Sequence, residues 1–456
     1  MEYKDFLISA AHVVPTARQL RWFDMEFYAF VHFTVNTYTD LEWGLGSEPE
    51  SIFNPTELDC DQWVEAVKSA GMKGIILTAK HHDGFCLWQT RTTEHCVRNS
   101  PWKNGQGDVV RECAEACRRG GIGFGVYLSP WDRNAACYGT DAYNDFYAEQ
   151  LTELLTGYGD LFMVWFDGAC GEGPNGKRQV YDFPRFNALI RQYQPDAFIF
   201  SDFGPDLRWC GNEAGKSRRA EWSVVPHDFC NRAEKQGPEE PLIEGSLAYM
   251  YGSDESVGEL DVLQYAHGLA FCGSEVDMSI RPGWFYHEKE QPHSLERLMQ
   301  TYLNSCGNNA SFNLNIPPMP NGRLHDADVA RLKEFGQALN AAFGEDKKLS
   351  YTVEEVPMKG NTQRRFRLRF PEKVQIAYVE LRENIANGQR VERFRILNAV
   401  NEEKLFNGYS FDQLYNGYTI GHRKICPVKA ETDAIEIQVL SARDTVELID
   451  MIIYRA

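Results

Sequence analysis

The chain has 456 residues, 43% of them hydrophobic, and a formal net charge of -18 at pH 7. That size supports a large core plus a second, smaller one, and the acidic balance argues against nucleic acid as a partner, because phosphate binding wants a basic stripe. No apolar run reaches bilayer length and MEYKDFLISAAHVVP lacks a basic start feeding a long apolar segment, so the expectation is a soluble protein without a membrane span or signal peptide, cytoplasmic as it stands or periplasmic or secreted if a leader was removed.

Residues 1–26 read as helical or irregular. EFYAFVHFTVNTY is a first strand with His32 near its end. LEWGLGSEPESIFNPTE, which carries Trp43, is rich in glycine, proline and acids and reads as a rim loop. DCDQWVEAVKSAG is a capped amphipathic helix with Trp63, Val67 and Ala70 on its inner stripe. In KGIILTAKHHDGF a second strand gives way to Lys80, His81, His82 and Asp83. GDVVRECAEACRRGG is a second capped helix. Its Cys113 and Cys117 share a face, but no second close pair completes a zinc set, and the 12 scattered cysteines read as reduced, buried thiols. IGFGVYLSPWD is a third strand, with Tyr127 near its end and Trp131 and Asp132 beyond; DAYNDFYAEQLTELLTGYG is a helix.

LFMVWFDG, residues 161–168, is the fourth strand and the stretch that organises the rest. Six apolar residues in a row need cover on both faces, as in a parallel sheet. The run ends on Asp167 and Gly168. A carboxylate there sits at the rim where α/β active sites collect; the competing reading is a helix cap. YDFPRFNALIRQYQPD is a helix and AFIFSDF a strand. Past Phe203 the pattern blurs into the polar, aromatic GPDLRWCGNEAGKSRRAEWSVVPHD and then a mixture of loop and helix. EVDMSI is a strand ending in RPGWFYH, SLERLMQTYLNSCGNN a helix, ASFNLNIPP a final strand and HDADVARLKEFGQALNAAF a closing amphipathic helix.

Roughly eight strand candidates favour a (β/α)8-like TIM barrel over residues 1–345 rather than a doubly wound sheet. After GEDKKLS the character changes. Alternating runs such as RRFRLRF and EIQVL, with Asn387-Gly388, Asn407-Gly408 and Asn416-Gly417 as hairpin turns, predict a β-sandwich over 350–456, a module that can bind carbohydrate or simply brace the barrel; it shows no obvious aromatic platform, which favours bracing.

KHHDG at a strand end suits two jobs, metal ligation or hydrogen bonding to a polyhydroxylated ligand. Trp43, Trp88, Trp131, Trp165, Trp209, Trp222 and Trp284 lie near strand ends or rim loops. Ring faces could cover the CH side of a sugar while polar groups hold its hydroxyls. No GxGxxG, GxxxxGK[ST] or HExxH motif is present, so no cofactor is expected. Glycoside hydrolysis needs two carboxyl groups. Asp167 is the first candidate for nucleophile and Glu213 of GNEAG for its partner, with Asp206, Glu221, Glu275 and Asp277 competing. The rival readings are a metal-dependent barrel hydrolase and a non-catalytic carbohydrate-binding protein.

FVHF, KHHDGF, VYLSPWD, VWFDG, GNEAG, EVDMSIRPGWFYH and FNLNIPP, from about Phe27 to His325, resemble the α-L-fucosidases of glycoside hydrolase family 29. GNEAG and SIRPGWFYH are similar to its second subfamily, which prefers α-1,3- and α-1,4-linked fucose in branched glycans. The resemblance implies an exo-acting, retaining double displacement without metal on a fucosylated oligosaccharide or glycoconjugate. It implies Asp167 as nucleophile and Glu213 as acid/base. His32, His81 and His82 match fucose-binding positions, Tyr127 the residue beside the nucleophile, and Trp284 an aromatic wall. Trp43, Trp165, Trp209 and Arg281 are assigned to the pocket more loosely. Oligomeric state is not legible in the sequence.

Overall fold

The computed structural model describes residues 9–202, 204–227, 257–264, 266, 268–356, 358, 362–399, 405–406, 409–410 and 413–456. Eight strands close a barrel: β1 (Phe27–Val31), β2 (Gly74–Lys80), β3 (Gly123–Leu128), β4 (Met163–Trp165), β5 (Phe198–Phe200), β6 (Leu207–Trp209), β9 (Gly273–Ser279) and β10 (Ala310–Asn315). Between β6 and β9 in the chain, β7 (Val224–Pro226) and β8 (Leu269–Phe271) form a separate antiparallel pair. Every barrel pairing is parallel, and β10 meets β1 to close the ring. β1 and β2 are buried along their whole length, as strands covered on both faces must be.

Seven helices among the described residues have nine residues or more: α1 (Ala17–Met25), α2 (Cys60–Ser69), α3 (Val109–Gly120), α4 (Asp141–Gly157), α5 (Phe183–Tyr193), α6 (Leu295–Asn304) and α7 (Asp326–Phe343). Their starts follow local chemistry. Asp59, Asp108, Asp182 and Ser294 each accept a backbone N–H from the first turn, and Thr16 forms a capping box with Gln19. Trp63, Val67 and Ala70 of the predicted inner stripe are all buried. Among the described residues no helix is long and apolar enough to cross a membrane.

One barrel strand went unread. β6 lies inside GPDLRWCGNEAG, where the sequence shows only polar and aromatic irregularity. It has three residues, paired through Phe200↔Leu207 on one side and Leu207↔Gly273 to Trp209↔Glu275 on the other. Three residues are too few to display a period.

The C-terminal β-sandwich holds a six-stranded antiparallel sheet in the order β11 (Thr352–Glu355), β12 (Arg364–Glu383), β17 (Lys424–Ala442), β13 (Val391–Asn398), β16 (Gln413–Gly417), with β18 (Leu448–Arg455) on β12. Its own core includes Leu368, Val379, Phe394, Ile435 and Ile453. Two of the expected turns are something else. Asn416-Gly417 is inside β16, opposite Arg395 and Phe394. Asn387-Gly388 ends a short 3-10 turn between β12 and β13, which are separated in the sheet by β17. Asn407-Gly408 lies outside the described residues, although the flanking β14 (Leu405–Phe406) and β15 (Tyr409–Ser410) pair antiparallel. The cysteines among the described residues are free thiols, most of them buried.

Candidate active site

The carboxyl ends of β1, β2, β3, β4 and β9 converge on one mouth. At the end of β2 the fully buried Lys80 donates to Asp132 Oδ2 and Gln150 Oε1, both at 2.9 Å. Asp83 accepts from Thr34 Oγ1 at 2.9 Å and from the Phe85 N–H at 2.7 Å. Gly84, at φ +82°, makes the turn between them; a Cβ there would lie 2.5 Å from Asp132 Oδ1. Held this way, His81 and His82 turn to the same side, with ring centroids 4.1 Å apart. His32, just past β1, stands 5.5 Å from His81.

β4 delivers Asp167. Its Oδ2 accepts from the Tyr127 hydroxyl at 2.9 Å and its Oδ1 from the Ala169 N–H at 2.7 Å. His82 Nε2 is 3.8 Å from Oδ2. A Cβ at Gly168 would fall 1.8 Å from Asp202 Oδ2, so a larger residue there would push the Asp202 carboxyl aside. Trp165 forms part of the floor. It stacks on Phe200 at 4.2 Å and on Tyr127 at 5.4 Å, and its indole donates to Glu275 at 2.7 Å.

Glu213 comes from the turn after β6, where Ala214 N–H bonds Asn212 Oδ1 at 3.1 Å and Asn212 Nδ2 bonds the Lys216 carbonyl at 2.8 Å. Its Oε2 accepts from Trp284 Nε1 at 3.2 Å. Trp284 in turn stands 5.2 Å from His32. The side chain of Glu213 reaches solvent, yet the protein around it raises its carboxyl above the usual range. The Asp167 and Glu42 charges push the same way, and the Trp284 indole opposes them.

Burial drives all three imidazoles toward the neutral form. It brings His32 down to about 4 and His81 well below the usual value, while His82 is lowered less against the attraction of Asp167. Burial, reinforced by Asp167, holds the Tyr127 hydroxyl protonated. Among the described residues no group of three or more His, Cys, Asp or Glu could hold a metal ion.

Other expected residues are distributed unevenly. Trp43 is 59% exposed on the rim, edge-on to Trp131 at 5.6 Å and to His82 at 6.0 Å. Trp209 donates to Asp277 Oδ1 at 3.0 Å, and the Glu213 charge helps to raise that buried carboxyl. Arg281 is not brought to the cluster. It is buried, its Nε donates to Asp328 Oδ2 on α7 at 2.8 Å, and its guanidinium covers the Tyr286 ring. Trp88 and Trp222 are buried away from it as well, the first donating to Glu153, the second under Arg443.

The competing acids have other partners: Asp206 pairs with Arg18 and Arg191, and Glu221 with Arg208. Glu275 is inside the barrel, bonded to Tyr28, Trp165 and Asn313, where burial pushes it up to about 7.

Sequence reasoning missed Glu42. Its carboxylate accepts the Trp284 and Phe285 N–H groups at 2.8 and 3.2 Å and bonds His287 Nε2 at 2.7 Å, tying the Trp43 loop to the Trp284 loop. Its adjacency to Trp43 was the only available signal.

Two carboxyls in unlike surroundings, neutral imidazoles and an aromatic wall suit acid–base chemistry on an uncharged, hydroxyl-rich ligand.

A family model described as Alpha-L-fucosidase matches residues 13–344. Alpha-L-fucosidase 1 of Arabidopsis thaliana is 40% identical over 409 residues, which is 84% of this chain and 76% of the relative. Putative alpha-L-fucosidase 1 of Oryza sativa subsp. japonica is 38% identical over 416 residues, 85% of this chain and 76% of the relative. Among solved structures, a putative alpha-L-fucosidase from Bacteroides ovatus is 42% identical with a TM-score of 0.88, covering 100% of this chain and 76% of that one. A glycoside hydrolase 29 family member from an unknown rumen bacterium is 39% identical with a TM-score of 0.83, covering 98% and 78%.

Proposed function

The chain belongs to the α-L-fucosidase family, glycoside hydrolase family 29, and from that premise we propose that it removes terminal L-fucose, α-1,3- or α-1,4-linked, from branched glycans with retention of configuration. The observation that carries this is the contrast between Asp167, held at both oxygens by Tyr127 and Ala169, and Glu213 on the turn after β6, which accepts from the Trp284 indole and whose carboxyl lies above its usual range. A nucleophile must be ionised and an acid must keep its proton.

In the first step Asp167 attacks the anomeric carbon while Glu213 gives its proton to the departing oxygen. That transfer leaves Glu213 ionised, and the glycosyl ester neutralises Asp167, removing a repulsion that had added to desolvation in raising Glu213. The Glu213 carboxylate then takes a proton from the incoming water. Water attacks, the ester breaks, fucose leaves, and both groups return to their starting states. His32, His81 and His82 bind the sugar as neutral partners, and Trp284, Trp43 and Trp165 line it. We assign the chemistry to residues 1–345 and a bracing role to 350–456. The linkage preference is supported by GNEAG and SIRPGWFYH, the stretches similar to the second subfamily.

Asp167→Asn should abolish turnover with the fold intact, and a fluorinated fucoside should label the peptide containing Asp167. A label elsewhere sinks the assignment. Glu213→Ala should slow both steps, with azide restoring turnover of an activated substrate. Near-normal kinetics without rescue would move the role to another acid. A Lewis-type trisaccharide, a 2'-fucosylated sugar and an aryl fucoside compared side by side test the linkage preference, and sugar binding without fucose release would identify a non-catalytic binder.

A further inference from the structure

Two of the three histidines are gripped at Nδ1 by groups whose own hydrogen bonds leave them no choice of role. The side-chain nitrogen of Asn315 donates to Ser279 Oγ at 2.9 Å and to the Trp284 carbonyl at 2.7 Å. A carbonyl only accepts, so this contact fixes which end of the amide is nitrogen. Asn315 Oδ1 therefore faces His32, where it accepts the His32 backbone N–H at 3.2 Å and lies 2.8 Å from His32 Nδ1. An amide oxygen cannot donate, so the ring hydrogen is on Nδ1.

Ser129 imposes the same form on His82. Its hydroxyl has one hydrogen, and the Trp131 carbonyl lies 2.6 Å from its oxygen. Turned any other way, two oxygens would meet without a proton between them. Ser129 Oγ is then an acceptor for His82 Nδ1, at 2.7 Å. Tyr127, which also approaches Ser129, gives its own hydrogen to Asp167 Oδ2 at 2.9 Å. Both rings are buried and held neutral, so a hydrogen on Nδ1 means none on Nε2.

We propose that Asn315 and Ser129 are positioning residues that lock His32 and His82 as Nδ1–H tautomers, so that both present a bare Nε2 to the sugar site and select a ligand that donates hydroxyl hydrogens at two places. This deepens the function proposed above and rests on it for the identity of the ligand. His82 Nε2 lies 3.8 Å from Asp167 Oδ2. With no hydrogen on that nitrogen, His82 does not compete with Tyr127 for the nucleophile. A ligand hydroxyl is left to donate to it. Fluorine, an ether oxygen, a carboxylate or a sulfate in the same place would set lone pair against lone pair.

The test begins with the full chain, ligand-free and labelled with 15N-histidine. Two-bond 15N–1H correlations, assigned with His32→Gln and His82→Gln, should show a protonated Nδ1 and an unprotonated Nε2 in both rings. An Nε2–H form in either ring overturns the proposal. Binding of methyl α-L-fucoside is then compared with its mono-deoxy and mono-deoxyfluoro analogues, on Asp167→Asn to prevent turnover. At the positions whose loss is masked by His32→Ala or His82→Ala, fluorine should bind no better than hydrogen. Recovery of most of the affinity by fluorine would overturn the two-acceptor reading. Ser129→Ala frees His82 to shift its hydrogen and should raise the fluoro-to-deoxy affinity ratio by roughly 5–10-fold, with Ser129→Thr restoring it; an unchanged ratio would overturn the role of Ser129. If Ser129→Ala fails to fold, the spectra of the unmodified chain still decide. Correct tautomers with no fucoside bound would support the histidine assignment and sink the sugar reading.

Discussion

Asp167 and Glu213 differ by one methylene, and their surroundings are unlike. Tyr127 and Ala169 donate to Asp167, whereas Glu213 accepts from the Trp284 indole, set against desolvation by the surrounding protein and two nearby carboxylates. That indole stabilises the ionised form. Trp284→Phe keeps a ring against His32 but removes the N–H, so the carboxyl should hold its proton to higher pH. The alkaline limb of kcat/KM should therefore move upward; a limb that stays or moves down would uncouple Glu213 from Trp284. His32 has a second, purely thermodynamic signature. Its folded value of about 4 lies below the usual 6.5. Between those values the unfolded chain takes a proton that the folded chain refuses, so stability should fall as pH drops from about 6.5 to about 4. His32→Gln should flatten that part of a urea-unfolding series, and an unaltered slope would assign the loss to other groups.

At the scale of elements, β2 matters most because its end must bend without unravelling. Lys80 is buried with Asp132, so each charge depends on the other. Lys80→Met should cost about 3–5 kcal/mol by leaving a buried carboxylate unpaired. Adding Asp132→Leu should recover much of that in urea unfolding, though not the placement of His81 and His82. If the double variant is no more stable than the single one, the pair is not the unit that matters. β6 shows the opposite economy. Three residues suffice because β5 and β9 hold them on either side, and the turn that follows carries Glu213.

Across the whole molecule the barrel and the sandwich share charges. Arg423 of the turn before β17 bonds Glu26 beside β1, Glu380 of β12 and Tyr302 of α6. Lys424 reaches Asn308, and the His422 N–H bonds Asn309 Oδ1 at 2.7 Å. Burial opposes the charge on Glu26, but His422 and Arg423 overcome it and hold the carboxyl at about 2. This part of the stability is present above about 4.5 and lost as pH falls toward 2. The full chain should melt in one calorimetric transition at neutral pH, with Arg423→Met lowering it. Two well-separated transitions would mean that the interface does not couple the two parts.

Local pattern alone carried most of the architecture: apolar runs with polar ends for the longer barrel strands, Asp59 and Asp108 as helix caps, and alternation after Ser350. The apolar run ahead of Asp167 was equally plain, because burying both faces of a strand leaves a mark on consecutive residues. What the order of residues could not decide depended on neighbours distant in the chain. The strand at Leu207 exists because β5 and β9 flank it, and Asn416-Gly417 is extended because β13 lies opposite. Arg281 Nε meets Asp328, 47 positions away. Glu42 became part of the mouth only when Trp284, 242 positions on, packed above it. Chain order records which surfaces must be buried; tertiary folding decides which side chain each donor and acceptor meets, since hydrogen bonds and ion pairs depend on contact distance and leave no period in the sequence.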